Sequence, residues 1–259
     1  SPPNLPGWDD IPIVEQIEAV FGVPAFLMND ANACALAEWR FGAGDRCDNM
    51  IFLTMGTGLG GGIILNRKLY EGASGMAGEF GHIRLRPDGP LGFNKEGSFE
   101  GFCGGNGIAD HARIIAGTYQ DQVSVEEYCR LVEGRDFSMK NLDMAQAQGN
   151  KFARHMFEVP GEMLGHGLAM LIDGFNPDKI VIGSIFERSE ALLRPAMERV
   201  LRFKKQSGAK YPYTFHKMFF QQTTWGLDEL RNLLCELSYK DWAPSNLVAM
   251  LSKQIAILD

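Results

Sequence analysis

The sequence predicts an α/β fold, and three stretches of the chain indicate it. Residues Met50 to Met55 form a continuous apolar run with no solvent-facing side, which is typical of a buried strand. Lys179 to Ile182 predicts a second buried strand. Between them, residues 141–175 are apolar nearly all round at helical spacing, which predicts a long buried helical region interrupted at Pro160-Gly161 and closed by Asn176-Pro177.

Composition limits the classes of protein that this chain can be. Its 259 residues are 45% hydrophobic, which is enough for a sizeable core in one or two domains. The formal charge of −7 leaves no basic surface for nucleic acid, and no apolar stretch is long enough to cross a bilayer. We therefore expect neither nucleic-acid nor membrane binding. The five cysteines are scattered without CxxC pairs, which favours reduced thiols and a cytoplasmic location.

The first elements lead to a pair of polar residues. A helix is predicted to begin at residues 9–12, where acids and a proline fit a first turn, and to end at Gly22. Pro24 to Met28 then predicts a short strand. This strand would carry Asn29 and Asp30 at its carboxyl end, where active groups of α/β sheets usually lie.

A glycine-rich turn follows the strand that ends at Met55. Gly56 to Gly62 leads directly into the apolar run Ile63 to Leu65, so the glycines predict a tight hairpin turn. Such a turn exposes backbone N–H groups that can hold phosphate. The dinucleotide fingerprint is rejected because a strand, not a helix, follows, and the Walker loop is rejected because no Lys-Ser/Thr follows. On the turn alone, an ordinary hairpin without a ligand is an equal alternative.

Further polar segments flank this turn. They are residues 29–32 upstream, and Glu79, His82 and Glu100 downstream. Carboxylates accept hydrogen bonds from hydroxyl groups, and a neutral imidazole can donate one and accept another. Together these segments suggest a polyol pocket beside a nucleotide.

At these residues the chain resembles the ROK family of repressors, open reading frames and sugar kinases. The matching motifs are NDANA at Asn29 to Ala33, LTMGTGLGGGI at Leu53 to Ile63, GEFGH at Gly78 to His82, a glutamate at Glu100 and NPDKIVIGS at Asn176 to Ser184. The resemblance covers roughly Pro3 to Arg202 and is specific because the motifs occur together. It implies the actin/hexokinase-like ATPase (ribonuclease H-like) fold, here incomplete and followed by a divergent helical C-terminal tail.

The resemblance also implies an activity and a set of site residues. The activity is ATP-dependent phosphorylation of a hexose or amino-sugar hydroxyl, as in a glucokinase, with ATP and Mg²⁺ as cofactors. Asp30 would be the catalytic base, because the transfer needs a carboxylate near the attacking hydroxyl. The implied sugar-binding residues are Asn29, Glu79, His82 and Glu100. The implied nucleotide-binding residues are Thr54, Gly56, Thr57, Gly58, Gly183 and Ser184.

Simpler roles stay open for several of these residues. Asp30 is also what an ordinary helix N-cap looks like, and Ser184 could cap the helix after it. His82 could be a structural histidine. Glu100 could be an acid that merely favours a helix start.

The chain departs from the family pattern at the structural zinc motif CxCGxxGCxE. Counting back from Glu100, the cysteine positions hold Leu91, Phe93 and Ser98. One histidine without thiolates cannot make a closed tetrahedral site, so we predict no zinc. Packing by Leu91, Phe93 and Phe99 is our hypothesis for what braces this loop instead.

Three segments are predicted from these comparisons of motifs. Residues 1–29 would be the remnant of a small N-terminal lobe whose DxGGT phosphate loop is missing, and residues 30–202 the large lobe. Residues 203–259 would form a divergent helical tail in place of a further strand, with two leucine-striped helices. Such stripes are usually core or oligomer contacts, and we expect a homodimer. The alternatives to a kinase are a sugar-binding regulatory module and an inactive fragment; the sequence does not say which sugar or hydroxyl is used.

Two shorter helices are predicted within the large lobe, after Glu100. One runs over residues 108–117, and the other is predicted to begin at Ser124, where Ser124 and Glu127 have the spacing of a capping box.

Overall fold

The computed structural model describes residues 10–205 and 214–217, with the backbone alone at 202–205 and 214–217. These residues fall in two compact units that divide between Asn29 and Asp30. The first unit contains helix α1 (Ile13–Phe21), which ends as predicted at Gly22, a left-handed residue with φ of 65°. The strand predicted at Pro24 to Met28 is wrong: these residues adopt no regular structure. A strand requires a neighbouring backbone, and none of the described strands pairs with this segment.

The second unit is a mixed α/β structure. Its helices are α2 (Asp30–Phe41), α3 (Phe99–Cys103), α4 (Gly105–Ile115), α5 (Gln122–Leu131), α6 (Met139–Ala147), α7 (Lys151–Phe175) and α8 (Ile185–Lys205). Its strands are β1 (Met50–Met55), β2 (Leu59–Leu65), β3 (Lys68–Leu69), β4 (Leu91–Gly92), β5 (Lys95–Glu96), β6 (Lys179–Ser184) and β7 (Thr214–Lys217). A 3₁₀ turn covers Phe80–His82. None of the described helices is long and apolar enough to cross a bilayer.

The main sheet has five strands in the order β3-β2-β1-β6-β7. Strands β1 and β2 form the predicted antiparallel hairpin, with Met55 opposite Leu59 and the turn at residues 56–58. Strand β6 runs parallel to β1, with Met55 opposite Ser184, so both strands end at the same edge of the sheet. This edge, where the glycine turn lies, is called the turn edge below.

Alternating residues of β2 face opposite sides of the sheet. Gly60 and Gly62 face α2, because Cβ atoms on them would lie 3.2 and 2.5 Å from the Cβ atoms of Ala31 and Ala35. Gly61 faces the other side, where a Cβ would lie 2.6 Å from the Phe80 ring. The larger apolar core, with residues of α3 to α8, fills this second side. Glycine is needed on both sides because the covering segments lie so close to the strand.

Helix α7 does not break at Pro160, and that prediction was wrong. The helix continues from Lys151 to Phe175, and the break falls earlier, between α6 and α7. Gly161 allows α7 to lie against α8, since a Cβ there would be 2.5 Å from the Leu193 carbonyl oxygen. Close packing against α8 therefore keeps the helix intact, although Pro160 has no backbone N–H to donate a helical hydrogen bond. Its end at Asn176, left-handed with φ of 45°, matches the prediction.

The start predicted for α5 was also wrong. Asp121 caps this helix by accepting a hydrogen bond of 3.1 Å from the Ser124 backbone N–H. Ser124 is therefore a first-turn residue and not the cap. Both residues suit a helix start, and the chain uses the aspartate three positions earlier.

The segment after α8 contains a further strand, which the sequence reasoning did not predict. Strand β7 pairs in parallel with β6, Thr214 lying opposite Lys179. The two leucine-striped helices predicted further on, over residues 227–237 and 247–255, lie outside the described residues.

Candidate active site

The glycine turn is held from one side by the beginning of α4. The carbonyl oxygens of Gly56 and Thr57 accept hydrogen bonds of 2.9 and 3.0 Å from the backbone N–H groups of Gly105 and Asn106. First-turn N–H groups of a helix have no partner within the helix, and here the turn supplies it. Among the described residues, no acceptor is bonded to the N–H groups of residues 56–58. The turn therefore presents donors, as a phosphate-binding loop must.

Glu100 connects α3 to the same turn. Its Oε2 accepts a hydrogen bond of 3.0 Å from the Leu59 backbone N–H. A Cβ on Gly58 would lie 2.5 Å from this oxygen, so a larger residue there would displace the carboxylate. Ser98 begins α3 as its N-cap, and its Oγ accepts from the Gly101 N–H at 3.0 Å. Glu100 is thus both a first-turn acid of a short helix and a contact of the glycine turn.

Glu79 precedes the 3₁₀ turn, and His82 ends it. Their side chains face each other, with His82 Nε2 lying 3.4 Å from Glu79 Oε2, and both are partly exposed. Gly81 between them lies against the hairpin, since a Cβ there would be 2.5 Å from the Leu59 carbonyl oxygen and 3.5 Å from Glu100 Oε2. The structure therefore brings Glu79, His82 and Glu100 to one region at the turn edge.

Asp30 reaches the turn edge from the opposite face of the sheet. It is the first residue of α2, and its exposed side chain accepts a hydrogen bond of 2.8 Å from the Ala31 N–H through Oδ1. Ala31 packs on Gly60, which pairs with Thr54 near the end of β1. This bond goes to the adjacent residue, whereas the side chain of a helix N-cap accepts from an N–H two or three residues further on, so it is a local contact and not a capping bond.

Gly183 and Ser184 end strand β6 next to the turn. They lie opposite Thr54 and Met55 in the parallel pairing. Ser184 is buried and left-handed, with φ of 67°, a conformation uncommon for serine. The next residue, Ile185, lies beside Gly105 at the start of α4. All six residues predicted at the nucleotide thus lie at or beside the turn edge.

Asn29, the residue before Asp30, belongs to the first unit, and its role in sugar binding stays a prediction. Sequence reasoning missed Gly105 and Asn106, although two consecutive glycines before an apolar helical pattern could have indicated a close backbone contact. It also missed Lys95, whose Nζ donates a hydrogen bond of 2.8 Å to the His82 carbonyl oxygen.

Of the three apolar residues expected to pack the loop before Glu100, only Phe99 is buried. Leu91 and Phe93 are 56% and 59% exposed, and Phe93 contacts the His82 ring. Within the described residues, no group of three His, Cys, Asp or Glu side chains could hold a metal ion. The expectation that this protein binds no zinc stays a prediction.

Comparison with known proteins decides the family. A sequence model of the ROK family matches residues 1–220, beyond the limit near Arg202 expected from the motifs. The chain belongs to the ROK family. The glucokinase of Streptomyces coelicolor is 35% identical over 205 residues, which are 78% of this chain and 64% of that protein. The chain thus spans less than two thirds of the length of this relative.

Repressors and kinases of this family are both similar to the chain. The DNA-binding transcriptional dual regulator NagC of Escherichia coli is 32% identical over 72% of this chain and 44% of its own length. The crystal structure of a ROK family glucokinase from Streptomyces griseus in complex with glucose and AMPPNP superposes with a TM-score of 0.65 and 32% identity. That comparison covers 80% of this chain and 66% of the glucokinase. The fold is accordingly the actin/hexokinase-like fold of ROK sugar kinases.

Proposed function

We propose that this chain carries the sugar-binding and phosphate-binding parts of an ATP-dependent hexose or amino-sugar kinase. The observation that supports this most is the convergence at the turn edge. There the Glu100 carboxylate contacts the glycine turn, Gly81 between Glu79 and His82 packs against the hairpin and Glu100, and Ala31 next to Asp30 packs on Gly60. The similarity to glucokinases agrees with the proposal.

In this proposal each side chain has a defined task. The Asp30 carboxylate orients the attacking sugar hydroxyl and accepts its proton, which needs contact within hydrogen-bond distance. Glu79, His82 and Glu100 hold the remaining hydroxyls, because carboxylates accept and an imidazole can both donate and accept.

The glycine turn and the end of β6 would hold the nucleotide. Backbone N–H groups of Gly56, Thr57 and Gly58 suit the phosphates, while Gly183 and Ser184 lie where the nucleoside would approach. ATP would supply the phosphoryl group, and Mg²⁺ bound through nucleotide phosphates and water would neutralise the phosphate charge. A homodimer and a cytoplasmic location are part of the same proposal.

The second candidate is a sugar-binding regulatory module that does not phosphorylate. The similarity to NagC favours it. Both candidates require the sugar contacts, and only the kinase requires Asp30 as a base.

The test between kinase and regulatory module measures ADP release with a panel of hexoses and amino sugars. It compares the unchanged chain with the variant Asp30→Asn. Asparagine accepts the Ala31 N–H as aspartate does but cannot take a proton, so a kinase should lose about 10²–10⁴-fold in turnover. Asp121→Asn is the control for the same substitution, because Asp121 is a helix-start aspartate that lies outside the proposed site and caps α5. Calorimetry measures sugar binding separately. Binding without ADP formation would favour the regulatory module, and neither binding nor ADP release would refute both.

A further inference from the structure

A small hairpin next to the proposed sugar site has an unusual turn. Strands β4 and β5 pair Leu91 with Glu96 and Gly92 with Lys95. The two central residues, Phe93 and Asn94, both have positive φ angles of 44° and 62°. Such two-residue turns favour asparagine and glycine, and a bulky aromatic residue rarely adopts this conformation. A contact outside the turn must therefore help to hold Phe93 there.

That contact is the imidazole of His82. The two ring centroids lie 5.1 Å apart with an interplanar angle of 78°, an edge-to-face arrangement that aromatic pairs prefer. Phe93 is 59% exposed, so burial of its own apolar surface does not explain its position. Lys95 of the same hairpin binds the His82 carbonyl oxygen at 2.8 Å. The hairpin thus holds both the backbone and the side chain of His82.

His82 needs such support, because its 3₁₀ turn has only three residues and its side chain is 38% exposed. Glu79 lies 3.4 Å from Nε2 and restricts one end of the ring. Phe93 restricts the tilt of the ring plane. With both contacts, a single orientation of the two ring nitrogens is favoured before any ligand binds, and preorganisation of this kind strengthens binding.

We propose that Phe93 is a positioning residue for sugar binding. It holds the His82 imidazole in the orientation that meets a sugar hydroxyl, and it acts through His82 rather than as a catalytic group. This inference rests on the proposed function, since it assigns His82 to the sugar.

The test compares three substitutions of Phe93 with one control. Phe93→Gly removes the ring and relaxes the turn, Phe93→Ala removes the ring and keeps the backbone strain, and Phe93→Tyr keeps the ring. Leu91→Ala is the control, because Leu91 is a similarly exposed apolar residue of the same hairpin. Thermal unfolding shows that each variant is folded.

Two readouts are used. One is the sugar dissociation constant and KM, with turnover measured alongside. The other is the position of the His82 ring C–H signals in ¹H–¹³C spectra, which a neighbouring aromatic ring shifts; His82→Gln identifies these signals among the five histidines. We expect both ring-removing variants to bind sugar about three- to tenfold more weakly with unchanged turnover, as loss of one aromatic pair implies. Their His82 signals should move, while Phe93→Tyr and Leu91→Ala should resemble the unchanged protein.

The Phe93→Gly variant separates the effect of losing the aromatic ring from the effect of backbone strain in the turn. Sugar affinity equal to that of the unchanged protein in Phe93→Gly would overturn the proposal, as would His82 signals that do not move. Failure of the unchanged protein to bind any sugar would refute the proposed function and with it the role in sugar binding. The His82 signals would then still decide whether Phe93 orients the imidazole.

Discussion

The hydrogen bond from the Leu59 N–H to Glu100 leads to the most informative prediction. Leu59 is only 5% exposed, so Glu100→Ala would leave a buried backbone donor without a partner. Such a donor costs about 1–3 kcal/mol. Because Glu100 is itself partly exposed, we expect a loss of about 1.5 kcal/mol in the free energy of unfolding, within that range. For a domain of this size, that loss lowers Tm by about 3–6 °C.

Glu100→Gln separates the structural role of this side chain from sugar binding. The amide oxygen can still accept from Leu59, so we expect a stability loss below about 1 kcal/mol. If the carboxylate also holds a sugar hydroxyl, loss of its charge should weaken sugar binding by roughly tenfold, the difference between a charged and a neutral hydrogen bond. The glutamine variant should therefore keep the fold and lose affinity, while the alanine variant should lose both.

Thermal unfolding and calorimetric titration with sugar measure the two effects. Glu96→Ala is the matched control, since Glu96 is an exposed glutamate of β5 and should change stability by less than about 0.5 kcal/mol. A Tm for Glu100→Ala equal to that of the control would refute the role of the Leu59 hydrogen bond. Unchanged sugar affinity in Glu100→Gln would refute the sugar contact.

Three further predictions concern packing and ionisation. Gly62→Ala places a Cβ 2.5 Å from a side chain of α2 and should lower the free energy of unfolding, measured by urea titration, by about 1–3 kcal/mol. In Gly56→Ala the new Cβ meets no atom within 4 Å, so stability should change little, and equal losses in the two variants would contradict the packing argument. Burial and, secondarily, a nearby histidine lower the pKa of His111 from its ordinary value of 6.5. The stability that this group contributes above that pH is therefore lost as the pH falls below it, and His111→Gln should reduce this loss. Burial raises the pKa of the Cys103 thiol, so alkylating reagents should label it only when the protein unfolds, and rapid labelling of the native protein would contradict this.

Local sequence determined the elements whose causes lie within a few residues. The apolar run to Met55 and the glycines after it are enough to predict a hairpin, because no helix fits between the two strands. Helix ends at Gly22 and Asn176 follow from residues that readily adopt left-handed backbone. The polar residues of the candidate site could also be chosen from motifs, since their types and spacing are visible in the chain.

Tertiary structure decided the features that depend on partners distant in sequence. Pro160 stays within α7 because Gly161 lets that helix pack against α8. Local helix propensity gives no information about this contact. The segment at Pro24 to Met28 forms no strand, since strand formation needs a partner and not only apolar residues. Likewise, only the folded chain places Phe93 on the His82 ring and Glu100 on the Leu59 N–H. Backbone preferences depend on residues that are near neighbours in the chain, whereas close packing depends on residues that are distant in sequence. The site at the turn edge is built from contacts between residues that are distant in sequence.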